Sequence, residues 1–253
     1  MITLCKKLLT KLIQLKRIFI LLDHKNRYAS SIGYFEDPFI KAISKTKPKK
    51  MMPIINRGTW TRVHAYRKTF ESFLAKPGDK QIISFGAGLD TSYFYLKYKY
   101  PDAKLKYIEV DFADIVTKKI NIISKNPALA KFKEDTSYAI FACDLRDLVK
   151  LAEEFAKIKV DTKTQTLILT ECVLVYIDPI CSQELVNWCG KYFENAAMLN
   201  YEMINPFDSF GKMMVENIEV TPKFMKQLIG KRMQVTWIDA ISDIREAEGK
   251  ICD

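Results

Sequence analysis

Histidine is nearly absent from this chain of 253 residues. Only His24 and His64 occur, which excludes a histidine-rich metal centre and leaves few bases for a serine or cysteine nucleophile. The six cysteines form no C-x-x-C pair and several lie in apolar runs, so neither a zinc site nor a disulfide framework is indicated. Buried thiols in a reducing compartment are expected instead. The nine glycines never complete a G-x-G-x-x-G fingerprint. No apolar run approaches the length of a membrane span; "IFILL" near the N-terminus is far too short. Acidic residues are missing until Asp23.

The acid-free N-terminus carries Leu4, Leu8, Leu12, Leu15, Ile18, Phe19 and Leu22 with lysines between them, which predicts a basic amphipathic helix. Packing on the domain is the expectation, with a transit peptide or a membrane-surface helix as alternatives. Hydrophobic residues make up 48% of the chain, enough for the core of one α/β domain. The net charge of +10 by itself suits an anionic partner, but much of the excess is lysine scattered along helical stretches, where a solvated face is the preferred reading. The Lys/Pro-rich "KTKPKKMMP", residues 45–53, reads as an exposed loop. The expected organisation is a helical region and loop, 1–56, followed by the main unit, 57–253, the two forming one globular body.

A helical pattern runs from about Arg57 to Leu74 and is ended by Pro77, Gly78 and Asp79. Short apolar strands follow near "QIISF", "KLKYIEV", "YAIFAC", "TLILTE" and "AMLNYE", separated by helical segments. Such alternation predicts an α/β fold, a doubly wound and mostly parallel sheet covered on both faces.

Gly86 and Gly88 fall after the first strand and before a helix, where a doubly wound sheet opens its ligand crevice. The third glycine position is Thr91, and the Asp90 carboxylate disfavours a pyrophosphate while suiting a nucleoside that carries positive charge. Asp111, at the end of the second strand, has the spacing of an acid that holds ribose hydroxyls. Asp144 and the Leu145 backbone, after the third strand, suit the edge of adenine. Glu171 ends the fourth strand and Tyr176 lies just beyond. For any one of these acids a helix N-cap is the commoner reading, Asp111 before "FADI" and Asp144 before "LRDL" above all. Four successive strand ends carrying a glycine turn or an acid favour a ligand.

These segments carry a resemblance. "RYASSIGYFEDPFI", "INRGTWTRVHAY", "FGAGLDT", "IEVDFADIVTKK", "ACDLRDL", "TECVLVY" and "NYEMINPFDSFGKMMVENI" stand in the order found in the leucine carboxyl methyltransferases, from about Arg27 to Ile218. The resemblance implies a Rossmann-like class I methyltransferase fold with N-terminal helical additions. It also implies S-adenosyl-L-methionine as methyl donor and, as substrate, the C-terminal leucine carboxylate of the protein phosphatase 2A catalytic subunit. It assigns cofactor contacts to Arg62, Gly86, Asp111, Asp144, Leu145 and Glu171, and makes Arg62 and Tyr176 the candidates beside the substrate carboxylate. Where relatives carry a lysine before the "R-Y/F-A" step, this chain has Asn26 between Lys25 and Arg27. Relatives continue past the segment matching "FGKMMVENI", so a C-terminally shortened member is expected.

The implied chemistry needs no base, because a terminal carboxylate with a pKa of about 3.3 to 3.7 is already ionised at neutral pH. The scarcity of histidine fits. A monomeric, cytoplasmic enzyme with no metal follows from the same reading. A related branch methylates a carboxyl on a modified guanosine of transfer RNA, but "LDT" and Cys172 read closer to the phosphatase enzymes, which disfavours a nucleic-acid partner. A non-catalytic binder that keeps the nucleoside pocket is the remaining alternative.

Overall fold

Each of the five apolar segments forms a strand: β1 (Lys80–Phe85), β2 (Leu105–Asp111), β3 (Tyr138–Ala142), β4 (Gln165–Glu171) and β5 (Ala196–Tyr201). The structure is a computed structural model and describes residues 25–44 and 47–202. All neighbouring strands pair in parallel, in the order β3-β2-β1-β4-β5. Strand β1 lies at the centre and is buried along its whole length, as a strand covered on both faces must be.

The helices are α1 (residues 25–31 of the described chain), α2 (Ile40–Ile43), α3 (Pro53–Leu74), α4 (Ser92–Lys99), α5 (Ala113–Lys125), α6 (Pro127–Ala130), α7 (Leu148–Lys157) and α8 (Pro179–Tyr192), with a 3-10 turn at Leu174–Tyr176. Alternation along the strands splits the core in two. Ile82, Tyr107 and Leu167 face one way and pack with Tyr66, Phe70 and Phe73 of α3, Phe94 of α4 and Ile123 of α5. Their neighbours Ile83, Ile108 and Ile168 face the other way, against Leu151 and Phe155 of α7 and Leu185 and Cys189 of α8. The doubly wound, Rossmann-like arrangement expected from the sequence is therefore present.

Helix α3 starts at Pro53 rather than near Arg57. Proline suits the first helical position because its fixed φ is helical and the missing N–H has no partner there in any case. The division expected after residue 56 thus falls inside the first turns of α3. The amphipathic pattern from Leu4 to Leu22 and the segment beyond Glu202 lie outside the described residues.

Two features of the sheet position a site. The chain winds outward from β1 through β2 to β3, then returns to place β4 on the other side of β1, so the connections part company above the carboxyl ends of β1 and β4. Phe85 pairs with Val110 on one side and Thr170 on the other. One residue further, Gly86 is flanked by Asp111 and Glu171.

Candidate functional site

The turn after β1 is built by its glycines. Gly86 and Gly88 have φ of 63° and 53°, left-handed backbone that favours glycine. The Gly86 N–H donates to the Val110 carbonyl at 2.8 Å, and a β-carbon at Gly86 would lie 2.5 Å from Val173 Cγ2 on the turn that follows β4. Gly88 N–H donates to Asp111 Oδ2 at 2.7 Å, while Phe112 N–H donates to Asp111 Oδ1 at 2.6 Å. Asp111 therefore ties the turn to the end of β2. It is not a helix cap: Phe112 holds the N-cap position of α5 and makes no side-chain cap bond. Burial raises the Asp111 pKa and the two N–H donors pull it back down. With one bond on each oxygen, the carboxylate keeps acceptor capacity for further donors.

Asp90, next in the turn, accepts from Ser92 N at 3.2 Å and Ser92 Oγ at 3.1 Å at the start of α4. Thr91 Oγ1 donates to Asp37 Oδ2 at 2.6 Å, which joins the turn to the loop before α2. Arg67, on α3, lies 3.8 Å over the Tyr95 ring and donates to the Glu36 carbonyl at 2.6 Å.

Across the crevice, Arg62 is 5% exposed, and its Nε lies 3.1 Å from Glu171 Oε1. Its Nη2 donates to Asn26 Oδ1. Burial alone would lower the Arg62 pKa, but Glu171 and its neighbours hold it above the ordinary value; burial raises that of Glu171 against the pull of Arg62. Arg27 instead donates to the carbonyl and Oγ of Ser44, at the end of α2. Asn26, where the resemblance leads to the expectation of a lysine, is hydrogen-bonded to Arg62. Burial, and then the charge of Arg62, lower the pKa of Lys25.

Two adjoining clefts open here. One encloses about 740 Å³ of empty, solvent-connected space and is lined by Asn26, Tyr66, Gly86, Gly88, Asp90 and Glu171, among others. The second, about 460 Å³, shares Asn26, Tyr66, Asp90 and Glu171 and adds Arg62 and Arg67. The structure thus brings Arg62, Gly86 and Glu171 to one crevice, with Asp111 behind Gly88.

Asp144, Leu145 and Tyr176 line neither cleft. Asp144 stands two residues past Ala142, which pairs with Asp111, so it shares the rim of β2 and β3. It accepts from Arg146 N at 3.0 Å and Arg146 Nε at 2.9 Å, and the bond from Arg146 lowers its pKa. The cap of α7 is Asp147, which accepts from Lys150 N at 3.0 Å. The N-cap alternative therefore fails for Asp144 as it does for Asp111. The Tyr176 hydroxyl is buried and has no hydrogen-bond partner among the described residues. His64 stacks on Trp60 at 4.7 Å and also lines neither cleft.

Sequence reasoning missed two groups near the crevice. Glu202 Oε1 accepts from Val173 N at 2.9 Å and Leu174 N at 2.8 Å, which fixes the turn holding Val173 over Gly86. Lys119 and Glu109 form an ion pair at 2.5 Å with both side chains fully buried. A signal for Lys119 was present: it falls between Val116 and Ile123 on the buried face of α5, where a lysine requires a partner.

A family model described as leucine carboxyl methyltransferase matches residues 21–190. Leucine carboxyl methyltransferase 1 of Rattus norvegicus is 40% identical over 212 residues, covering 76% of this chain and 63% of that protein. The protein of the same name from Schizosaccharomyces pombe is 36% identical over 216 residues, 79% of this chain and 68% of its own length. Human tRNA wybutosine-synthesizing protein 4 is 32% identical over 76% of this chain and 31% of that protein. This chain thus spans a little under two thirds of the rat protein it matches. Among solved structures, a Thermobifida fusca protein described as a methyltransferase superposes with a TM-score of 0.54 at 15% identity, covering 76% of this chain and 77% of that one, a likeness of fold. With a family model across most of its described residues and relatives at this level of identity, the chain belongs to the leucine carboxyl methyltransferase family.

Proposed function

We propose that this chain transfers a methyl group from S-adenosyl-L-methionine to the C-terminal leucine α-carboxylate of the protein phosphatase 2A catalytic subunit, giving a methyl ester. The observation that carries the reading is the Arg62–Glu171 pair beside the Gly86 turn, at the switch point of a sheet belonging to this family. When bound, the cofactor supplies an electrophilic methyl on a cationic sulfur.

The residues present fit that group. Asp90 and Glu171 put carboxylates on the crevice, a wall suited to a cationic ligand. The Gly86–Gly88 backbone offers close approach, and Asp111 has acceptor capacity left for ribose hydroxyls. Asp144 and Leu145, on the neighbouring rim, are assigned to the adenine edge.

Catalysis in this reading is positioning. The substrate carboxylate is ionised without help, so the protein has to hold one oxygen about 3 to 3.5 Å from the methyl carbon and in line with the departing sulfur. Arg62 has guanidinium N–H groups beyond those given to Glu171 and Asn26, and these can receive a carboxylate. Arg62 is better placed for this than Tyr176, whose hydroxyl is buried away from both clefts. A reducing, cytoplasmic setting, a monomeric state and a reaction without a metal belong to the same proposal.

A second reading draws on the wybutosine relatives and the net charge of +10: methylation of a carboxyl on transfer RNA. Offering labelled cofactor with phosphatase or with transfer RNA separates the two. Base-labile label on the phosphatase supports the proposal. Label on the RNA alone would replace it, and calorimetric cofactor binding with no transfer to either would indicate a non-catalytic binder.

A further inference from the structure

Beneath the glycine turn lies a buried chain of polar contacts for which the methyl-transfer chemistry itself has no use. Lys119, on α5, sits 2.5 Å from Glu109 Oε2 on β2, and its ammonium also donates to the Asp90 carbonyl at 2.7 Å. The Tyr138 hydroxyl donates to the same Glu109 oxygen at 2.9 Å. Glu109 and Lys119 are each 0% exposed, and the other carboxylate oxygen, Glu109 Oε1, has no partner among the described residues. Taking two charges out of water is costly, and a pair of apolar side chains is often at least as stable in such a place. Core stability is therefore a weak reason for the arrangement.

The reach of Lys119 supplies a better one. Its ammonium spans from the sheet to the backbone of a turn whose neighbouring residues line both clefts. It holds the carbonyl of Asp90, while the Asp90 carboxylate is held by Ser92 N and Oγ. The backbone from Gly86 to Thr91 is thus pinned at Gly86 by Val110, at Gly88 by Asp111, and at Asp90 by Lys119. The first two pins are contacts with β2. Lys119 links the turn to helix α5.

We infer that Lys119 is a positioning residue for cofactor binding: with Glu109 as its counter-ion, it fixes the Asp90 carbonyl and so sets the Gly86–Thr91 turn and the Asp90 carboxylate against the ligand. The inference rests on the methyltransferase reading for the identity of the ligand, while the mechanical link from α5 to the turn stands apart from it.

The test uses the full chain with the double substitution Lys119→Met and Glu109→Gln. This removes both charges together, leaves no lone buried ion, and keeps an acceptor for Tyr138. Two readouts are taken: amide hydrogen exchange across residues 86–91, and calorimetric affinity for S-adenosylmethionine, with KM and kcat where transfer is measured. The expected result is faster exchange in the turn with unchanged protection in β1 and β4, a dissociation constant raised about tenfold, KM for the cofactor raised in step, and kcat within about twofold of the parent. Unchanged exchange in the turn overturns the inference, and so does faster exchange with unchanged affinity. If the double variant does not fold, Lys119→Met, Glu109→Leu and Tyr138→Phe are combined, which replaces the whole polar cluster by apolar side chains of similar size, and the same two readouts decide in the same way. A parent chain that binds no cofactor sinks the functional proposal instead, and the exchange data still decide whether Lys119 holds the turn.

Discussion

Val173 packs over Gly86 so closely that a β-carbon on the glycine would stand 2.5 Å from Val173 Cγ2. The turn after β1 and the turn after β4, which frame the crevice, are therefore fitted to each other directly. If Gly86 served ligand approach alone, Gly86→Val would leave a folded domain and abolish cofactor binding. The contact with Val173 and the φ of 63° add a cost in stability. Gly86→Ala should lose about 1 to 3 kcal/mol in urea unfolding as well as cofactor affinity. Adding Val173→Ala should recover part of the stability, because it relieves the collision but leaves the backbone strain. No recovery would show that the two turns are not fitted in this way.

Asp111 offers a second test. Its two oxygens hold Gly88 N and Phe112 N, so Asp111→Ala removes both backbone ties along with the proposed ribose contact. The melting temperature and the cofactor affinity should fall together, the latter by about 1.5 to 3 kcal/mol. Calorimetry on a folded Asp111→Ala variant that shows parental affinity would remove Asp111 from the site.

The Lys119–Glu109 pair predicts an asymmetry in stability. Lys119→Met alone leaves a carboxylate in a site with no exposure and should cost about 3 to 5 kcal/mol, whereas combining it with Glu109→Gln should restore most of that loss. Denaturant midpoints of the single and double variants measure it. Equal losses in both would mean that the charge on Glu109 is not carried buried.

Glu202 gives a pH dependence with a definite sign. Burial raises its pKa from 4.5 to about 7, against the N–H groups of Val173 and Leu174, which lower it. An acid protonated more readily in the folded chain than in the unfolded one adds stability that is full below about pH 4.5 and is lost as the pH rises through about 7. Glu202→Gln should therefore flatten the fall in melting temperature across that window. An identical pH slope in the variant would show that Glu202 is not protonated preferentially in the folded state.

Much of the fold was legible because its signals are local. The five strands lie on the five apolar runs, and the turn of Gly86 and Gly88 falls at the crevice, since two positive φ values after a buried strand need glycine. Asp111 and Glu171 were legible by their place at strand ends, which parallel register turns into neighbours of Gly86. What was not legible depends on contacts between distant segments. The partnership of Arg62 with Asn26 joins residues 36 apart in sequence, and that of Lys119 with Asp90 joins residues 29 apart. Neither has a spacing rule. Tyr176, a candidate that came with the resemblance, lies in the 3-10 turn with a buried hydroxyl and lines neither cleft.

The most direct measurement is transfer of labelled methyl from S-adenosylmethionine to two forms of the phosphatase catalytic subunit, one intact and one lacking its terminal leucine. Esterification of the terminal carboxylate requires label on the intact form, released by mild base, and none on the shortened form. The single-turnover rate should also lack a basic limb between about pH 6 and 8, because no proton has to be removed from the substrate. Equal label on both forms, or a rate that climbs tenfold per pH unit across that window, would contradict carboxylate methylation at this site.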